Sequence, residues 1–245
     1  MSNVIYEKKN RIATITLNRP EALNALDDTL NDELWTIVTG SGKSFCAGAD
    51  LKTFIPKWEK ASMLAPRDNV AKGIAGGITR GQHRIYKPII AAINGHAIGG
   101  GFELALACDI RIASQRAKFG VFEVRYGLHQ GDGGLVRLAS IAGMATALEL
   151  TLTGREVAAD EALRLGLVST VVAPEELMVT AQSYAEMILK NSQQAVRSAK
   201  ETIFDIVGRS LDDALRLETI NGYSNLGDFS EARERLAAFY EKKST

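Results

Sequence analysis

The chain has 245 residues, 46% hydrophobic, 24% charged and 7% aromatic. That length and balance fit one large soluble domain, or one domain with an appendage, and exclude a disordered or collagen-like chain. Lysine plus arginine and aspartate plus glutamate each total 29, so no net charge advertises a nucleic acid or an anionic membrane as partner, and the ligand must be read from local sites.

The stretch Met1–Lys9 lacks the apolar core of a signal peptide, and no apolar run reaches the roughly 18 residues that span a bilayer. The expectation is a soluble, cytoplasmic protein. Cys46 and Cys108 lie in apolar surroundings, without a CxxC motif or a histidine at metal-ligand spacing. They read as reduced, buried thiols rather than as a disulfide or zinc site.

Val4–Tyr6 and Ile12–Leu17 are β-branched runs on either side of a charged turn, Lys8–Arg11, and predict an opening hairpin. Asn24–Trp35 carries Leu26, Leu30 and Leu34 at helical spacing, with Asp27 or Asp28 as cap. Thr36–Gly40 and Pro88–Asn94 read as strands, each leading into a glycine-rich segment. Phe102–Cys108 reads as a helix, Ile110–Ala113 as a strand, and Phe119–Val124 as another extended piece. This alternation predicts a mainly parallel α/β sheet with crossovers. From about Ile141 onward the pattern turns helical: 145–152, 158–165, 174–191, 193–207, 210–221 and 229–243. The predicted division is a core over 1–140 carrying the site and a helical region over 141–245. One join does not fit. Trp35 runs directly into Thr36, whereas a helix packed on a sheet needs about 2 to 6 residues to turn back, so this stretch reads either as a deletion or, preferred, as a place where residues are absent.

Thr39–Ser44 (TGSGKS) superficially suggests a phosphate loop, but the required first glycine position holds Ile37 and no long helix follows. Cys46–Leu51 (CAGADL) has only small side chains before Asp50, so its backbone can approach a ligand and offer N–H groups, or simply form a tight turn. The strongest signal is Asn94–Leu104 (NGHAIGGGFEL). Three consecutive glycines between a buried strand and a helix leave amides at a helix N-terminus that can hold developing negative charge. It is not a dinucleotide fingerprint, because Leu104 stands where a glycine would be required. Two such turns at neighbouring strand ends can converge as an oxyanion hole.

Glu103 falls in the first turn of that helix, where it either complements the helix dipole or takes part in proton transfer. Glu123 lies in the apolar stretch FGVFEV; burial there would raise its pKa, whereas an exposed strand end would not. Two acids beside an oxyanion hole would form a coherent device, one handling water while the other protonates carbon. Of the histidines, His83 reads as surface or packing and His96 as a hydrogen-bonding structural residue. His129 and Asp132, in GLHQGDGG after Glu123, are two further polar groups that can touch a substrate. No Gly-x-Ser-x-Gly elbow supports an α/β-hydrolase.

Taken together, Asn18–Leu26 (NRPEALNAL), Ser44–Leu51 (SFCAGADL), Ile93–Asp109 and the segment with Leu152–Gly154, Glu161–Ala162 and Gly166–Val168 resemble the crotonase, or enoyl-CoA hydratase/isomerase, superfamily over almost the whole chain. The resemblance implies a spiral of ββα units with a helical C-terminal trimerisation region, assembled as a homotrimer or dimer of trimers. It also implies an acyl-CoA thioester as substrate, with no metal or redox cofactor. By position, the amides of Ala47 and Gly100 would hold the thioester oxygen, and the turn Ala47, Gly48, Ala49, Asp50 would also contact the adenine end of CoA. Glu103 would orient and deprotonate water, and Glu123 would protonate the α-carbon. Lys242 or Lys243 would approach the CoA phosphate of a neighbouring subunit. Phe54, Ile55, Trp58 and Met63 would line the acyl pocket. The chain departs from the family pattern after Glu123, where Gln130 and Asp132 replace a proline and a small residue. Asp132 adds a potential third acid, a feature resembling members that isomerise dienes or cleave carbon–carbon bonds. The leading expectation is syn hydration of a trans-2-enoyl-CoA to a 3-hydroxyacyl-CoA. Double-bond isomerisation, thioester or diketone hydrolysis, and noncatalytic acyl-CoA binding are the alternatives.

Overall fold

The computed structural model describes residues 3–25, 37–59, 78–79, 85–225 and 229–243. Most of the helix expected over Asn24–Trp35, its join to Thr36, and Met63 and His83 lie outside the described residues, as do the side chains of Trp58, Lys242 and Lys243.

The opening hairpin forms from β1 (Val4–Lys9) and β2 (Ile12–Leu17). Its turn places Asn10 and Arg11 at φ 50° and 66°, the left-handed pair that matches the twist of antiparallel strands. A repeated unit follows. β3 (Ile37–Gly40) leads through a short glycine turn to β4 (Ser44–Cys46) and then to α1 (Leu51–Glu59). β5 (Ile90–Ile93), β6 (His96–Ile98) and α2 (Gly100–Ala107) repeat the pattern. β7 (Ile110–Ser114) and β8 (Lys118–Gly120) begin a third unit that ends in a 3-10 turn, Glu123–Tyr126. The first strand of each unit joins a six-stranded sheet, in which β3, β5 and β7 are parallel. The second joins a smaller sheet, in which β4, β6 and β8 are parallel. This is the expected α/β spiral of ββα units.

After the 3-10 turn come α3 (Gly134–Ala142), α4 (Met144–Thr153), β9 (Val157–Ala158), α5 (Ala159–Arg164) and β10 (Thr170–Val172). β9 closes the small sheet beside β8 and β10 closes the large one beside β7. The chain divides into two compact units, one of residues 1–85 and 89–185, the other of residues 86–88 and 186–245. α6 (Leu177–Lys190) runs from the first into the second, which also holds α7 (Gln193–Ile206), α8 (Leu211–Asn225) and α9 (Ser230–Lys243).

The core of the first unit is the layer between the sheets and α2, where Phe45, Phe102, Phe119, Ile93 and Leu104 are fully buried. Phe102 and Phe119 pack ring to ring at 5.5 Å, an arrangement that adds to the area they bury. Cys46 and Cys108 are buried thiols, as expected. α2 is pressed so closely on β4 that a Cβ on Gly101 would overlap the Cys46 carbonyl. Gly101→Ala therefore forces apart the two turns that flank the site. Overpacking of this kind typically costs about 1–3 kcal/mol, and urea unfolding should show a loss of that size together with a disturbed site.

Candidate active site

The site forms where α2 starts beside the turn that follows β4. Gly99 caps α2 at φ 56° and ψ −127°, a backbone conformation open essentially to glycine, and its N–H is tied to the Gly120 carbonyl at 3.0 Å. This places the amides of Gly100 and Gly101 at the helix N-terminus, where they make no hydrogen bond within the described chain. The neighbouring turn comes close: a Cβ on Gly48 would lie 3.1 Å from the Gly100 nitrogen.

The amides of that turn are not equivalent. The Ala47 N–H donates to the Leu23 carbonyl at 3.1 Å, and the Gly48 N–H faces the Cys46 thiol. The expectation that Ala47 offers its amide to the thioester is therefore corrected. The cause lies in the Asn18–Leu26 segment, which sequence reading treated only as a family mark. Leu23 and Asn24 are left-handed at φ 52° and 56° and turn the chain back over β4. Asn24, wholly buried, accepts from the Arg19 N–H at 2.9 Å and donates to the Ser41 and Ser44 carbonyls at 2.9 and 2.6 Å. Arg19 donates to the Ala25 carbonyl at 2.7 Å and pairs with Asp50 at 3.4 Å. Asp50 in turn accepts from the Lys52 N–H at 3.2 Å, so in this structure it anchors the start of α1.

Glu103 projects from the first turn of α2 and is 3% exposed. Its Oε1 accepts the Asp132 N–H at 2.7 Å and the Gly134 N–H at 3.0 Å, amides at the entry to α3. Helix N-termini favour a carboxylate in just this place. Burial nevertheless dominates and pushes the Glu103 pKa up to about 7, with Asp132 and Glu123 adding to the rise. Sequence reading missed α3, because GDGG before it reads as loop, and so missed the groups that hold this acid. Arg137 of α3 fastens the same loop, donating to the Asp132 carbonyl at 3.3 Å and to the Thr79 carbonyl at 2.6 Å.

Glu123 does not sit in a strand. β8 ends at Gly120, and Glu123 opens the 3-10 turn, which Gly127 caps at φ 75°. Arg125 fixes this turn by lying 3.8 Å over the Phe122 ring and donating to the Gly154 carbonyl at 2.8 Å. The Glu123 carboxyl faces Gly99, where a Cβ would meet Oε1 at 2.9 Å, so only a glycine fits between the acid and α2. Oε2 is buried without a hydrogen-bond partner in the described chain. Burial raises the Glu123 pKa, opposed by Gln130 and His129. The structure thus brings Glu103, Glu123, Gly100 and Asp132 together. His129 is exposed, its Nδ1 2.7 Å from the Gln130 carbonyl oxygen, and acts on Glu123 only through its charge. His96 is exposed on β6. Phe54 and Ile55 are half-buried on α1. Among the described residues, no three His, Cys, Asp or Glu side chains come together as a metal-holding group, and no helix is long and apolar enough to cross a membrane.

A buried acid and a half-buried one beside an amide-lined turn are groups that can serve proton transfer next to a developing oxyanion. Comparison with known proteins gives the family. Residues 7–245 match the family model for enoyl-CoA hydratase/isomerase. The chain is 41% identical to a short-chain-enoyl-CoA hydratase of Clostridium acetobutylicum, covering 99% of this chain and 96% of the relative. It is 39% identical to an (E)-benzylidenesuccinyl-CoA hydratase of Thauera aromatica, covering 98% and 97%. It also superposes on the crystal structure of an enoyl-CoA hydratase from Mycobacterium tuberculosis with TM-score 0.85 and 35% identity, covering 99% and 97%. The chain belongs to the enoyl-CoA hydratase/isomerase family. The match to the Clostridium relative runs over 259 positions, more than the 245 residues here, so that relative carries residues with no counterpart in this chain.

The raised pKa of Glu103 has a consequence for stability. Between about 4.5 and about 7 the folded chain keeps a proton on Glu103 that the unfolded chain has released, so stability falls as pH rises through that window and levels off above it. Glu103→Gln removes this penalty while still accepting the two amides. It should stabilise the protein at pH 8 by on the order of 1–3 kcal/mol and by much less at pH 5, measured by urea unfolding at both values. An equal response at both would contradict a buried, proton-holding Glu103.

Proposed function

We propose that this protein is an enoyl-CoA hydratase that adds water to a trans-2-enoyl-CoA, giving a 3-hydroxyacyl-CoA. The observation that carries the reading is the pairing of Glu103 and Glu123 around Gly99, with the open amide of Gly100 beside them. The names of the relatives support it.

In this reading the thioester oxygen sits on the Gly100 N–H and on a second amide of the CAGAD turn. With the Ala47 N–H given to Leu23 and that of Gly48 facing the Cys46 thiol, the second donor comes from the amides that follow in the turn, those of Ala49 and Asp50. Withdrawal of charge onto this oxygen makes the β-carbon electrophilic. Glu103, as carboxylate, orients a water molecule and takes its proton as the oxygen bonds to the β-carbon. The former double-bond electrons form an enolate held by the two amides, and protonated Glu123 delivers its proton to the α-carbon. Exchange with water then returns Glu103 and Glu123 to their starting protonation states. Both acids suit this division because burial lifts each toward neutrality. Hydration leaves the overall oxidation level of the substrate unchanged, so the scheme requires no redox cofactor.

The assembly is part of the proposal. The helices of the second unit leave Ile203, Phe204, Leu211, Leu215, Phe239 and Tyr240 largely exposed in the single chain, more apolar surface than a monomer ordinarily shows to water. Burial against further copies, as a trimer or dimer of trimers, accounts for it.

A panel of short, medium and aryl 2-enoyl-CoA and 3-enoyl-CoA thioesters, incubated with the protein and read by mass spectrometry, tests the activity. A gain of one water with CoA retained is the expected result on the 2-enoyl thioesters. Unchanged mass with altered retention would indicate isomerisation, and free CoA would indicate hydrolysis. Glu123→Gln should lower kcat by about 100- to 10,000-fold while CoA affinity stays within a few-fold. Undiminished hydration in that variant would remove Glu123 from the mechanism.

A further inference from the structure

Gln130, one of the two departures after Glu123, occupies a place that the chemistry above leaves unused. Its side chain is 4% exposed. Nε2 donates to the Gly99 carbonyl at 3.4 Å, the residue whose α-carbon faces Glu123. The same carboxamide favours the charged form of Glu123. The other end points the opposite way. A Cβ on Gly134 would overlap Gln130 Oε1 and lie 2.7 Å from Glu103 Cγ, so Oε1 reaches the side of the site where Glu103 is held. That oxygen is buried and has no donor in the described chain, as is true of Glu123 Oε2.

The orientation of the amide follows from its neighbours. Turning it over would set Oε1 against the Gly99 carbonyl, acceptor against acceptor. The carboxamide thus gives its donor to the Gly99 turn, which Glu123 faces, and leaves an open acceptor toward Glu103. Buried acceptors in folded proteins rarely go without a donor. Water, with two hydrogens to give, is the small molecule that satisfies such positions. A proline here would supply neither function.

We propose that Gln130 is a positioning residue of the acid pair: its Nε2 holds the Gly99 turn against which Glu123 packs, and its Oε1 accepts a hydrogen bond from a water held beside Glu103. This rests on the hydratase reading for its catalytic consequence but not for its effect on Glu123. The charged groups acting on the pair are His129, Asp132 and the two acids themselves, with Arg137 facing Glu103 from α3. Substitutions at residue 130 leave all of them in place.

The test uses the full-length protein, with glutamate carboxyl carbons labelled and the Glu123 signal assigned through Glu123→Gln. Gln130→Met keeps the length of the side chain but removes donor and acceptor. Gln130→Glu keeps shape and acceptor, but as a carboxylate it has no donor. The Glu123 titration should move upward in Gln130→Met, which loses the carboxamide that favours the charged form, and further in Gln130→Glu, which adds a like charge. With crotonyl-CoA, Gln130→Met should lower kcat by about 10- to 100-fold with KM within about two-fold, and the alkaline limb of the pH profile should shift upward with the Glu123 titration. An unmoved Glu123 titration in Gln130→Met overturns the proposal, whatever the activity. If Gln130→Met fails to fold, Gln130→Leu, which likewise removes donor and acceptor without adding a charge, decides it. Wild-type protein that hydrates no thioester overturns the hydratase reading, while the titration still decides the role of Gln130.

Discussion

The site depends on keeping one carboxyl group, that of Glu103, away from water. A buried carboxylate without partners would simply take up a proton. Two backbone amides at the start of α3 supply enough hydrogen bonding to leave Glu103 able to ionise near neutral pH. Much of the local architecture serves that arrangement. α2 must start at Gly100 and lie hard against Cys46, which excludes a side chain at Gly101. The loop before α3 must arrive with its N–H groups pointing inward, and Arg137 ties its carbonyl to Thr79.

Glu123 shows what the same residue type becomes in a different setting. Glu103 accepts two backbone amides, whereas Glu123 has one buried oxygen without a partner and faces a glycine α-carbon. Burial is the leading influence on both acids, and both rise. Main-chain N–H groups resist the rise in both, those of Asp132 and Gly134 for Glu103 and its own for Glu123, where the Gln130 side-chain amide and the His129 charge add to it. Main-chain donors at a helix terminus cannot swing away, so Glu103, whose two donors lie at the entry to α3, is rigidly placed.

Much of this was legible in the sequence. The two glycine segments mark strand-to-helix turns because glycine costs conformational entropy that a regular strand or helix avoids, and Glu103 and Glu123 stand out as acids placed among apolar residues. What stayed hidden depends on contacts distant in sequence. Asn24 lies 20 residues from the Ser44 carbonyl it holds, and nothing local marks its left-handed backbone as a clamp. α3 begins in a glycine pair that reads as loop, because helix propensity says nothing of a helix whose N-terminus is stabilised by a carboxylate 31 residues earlier in the chain. The Ala47 amide illustrates the limit of reading by position. A short turn presents several N–H groups, and only the partners of each one, Leu23 in this case, decide which remain open.

The division of labour between backbone and side chains bears on how such a site keeps its chemistry while its substrate changes. The open amides of the site belong to the main chain, and Glu103 is held by main-chain amides as well, so neither relies on residues that would line an acyl group. Relatives near 40% identity over nearly their whole length carry names with acyl groups as different as a short chain and a benzylidenesuccinyl group. Large changes of acyl group at similar identity are what a backbone-built reaction centre permits, because side chains on α1 can be exchanged without moving an amide of the site. Gln130 is the exception in this chain. It is a side chain that touches the reaction centre itself, and a change there reaches the acid pair rather than the acyl group.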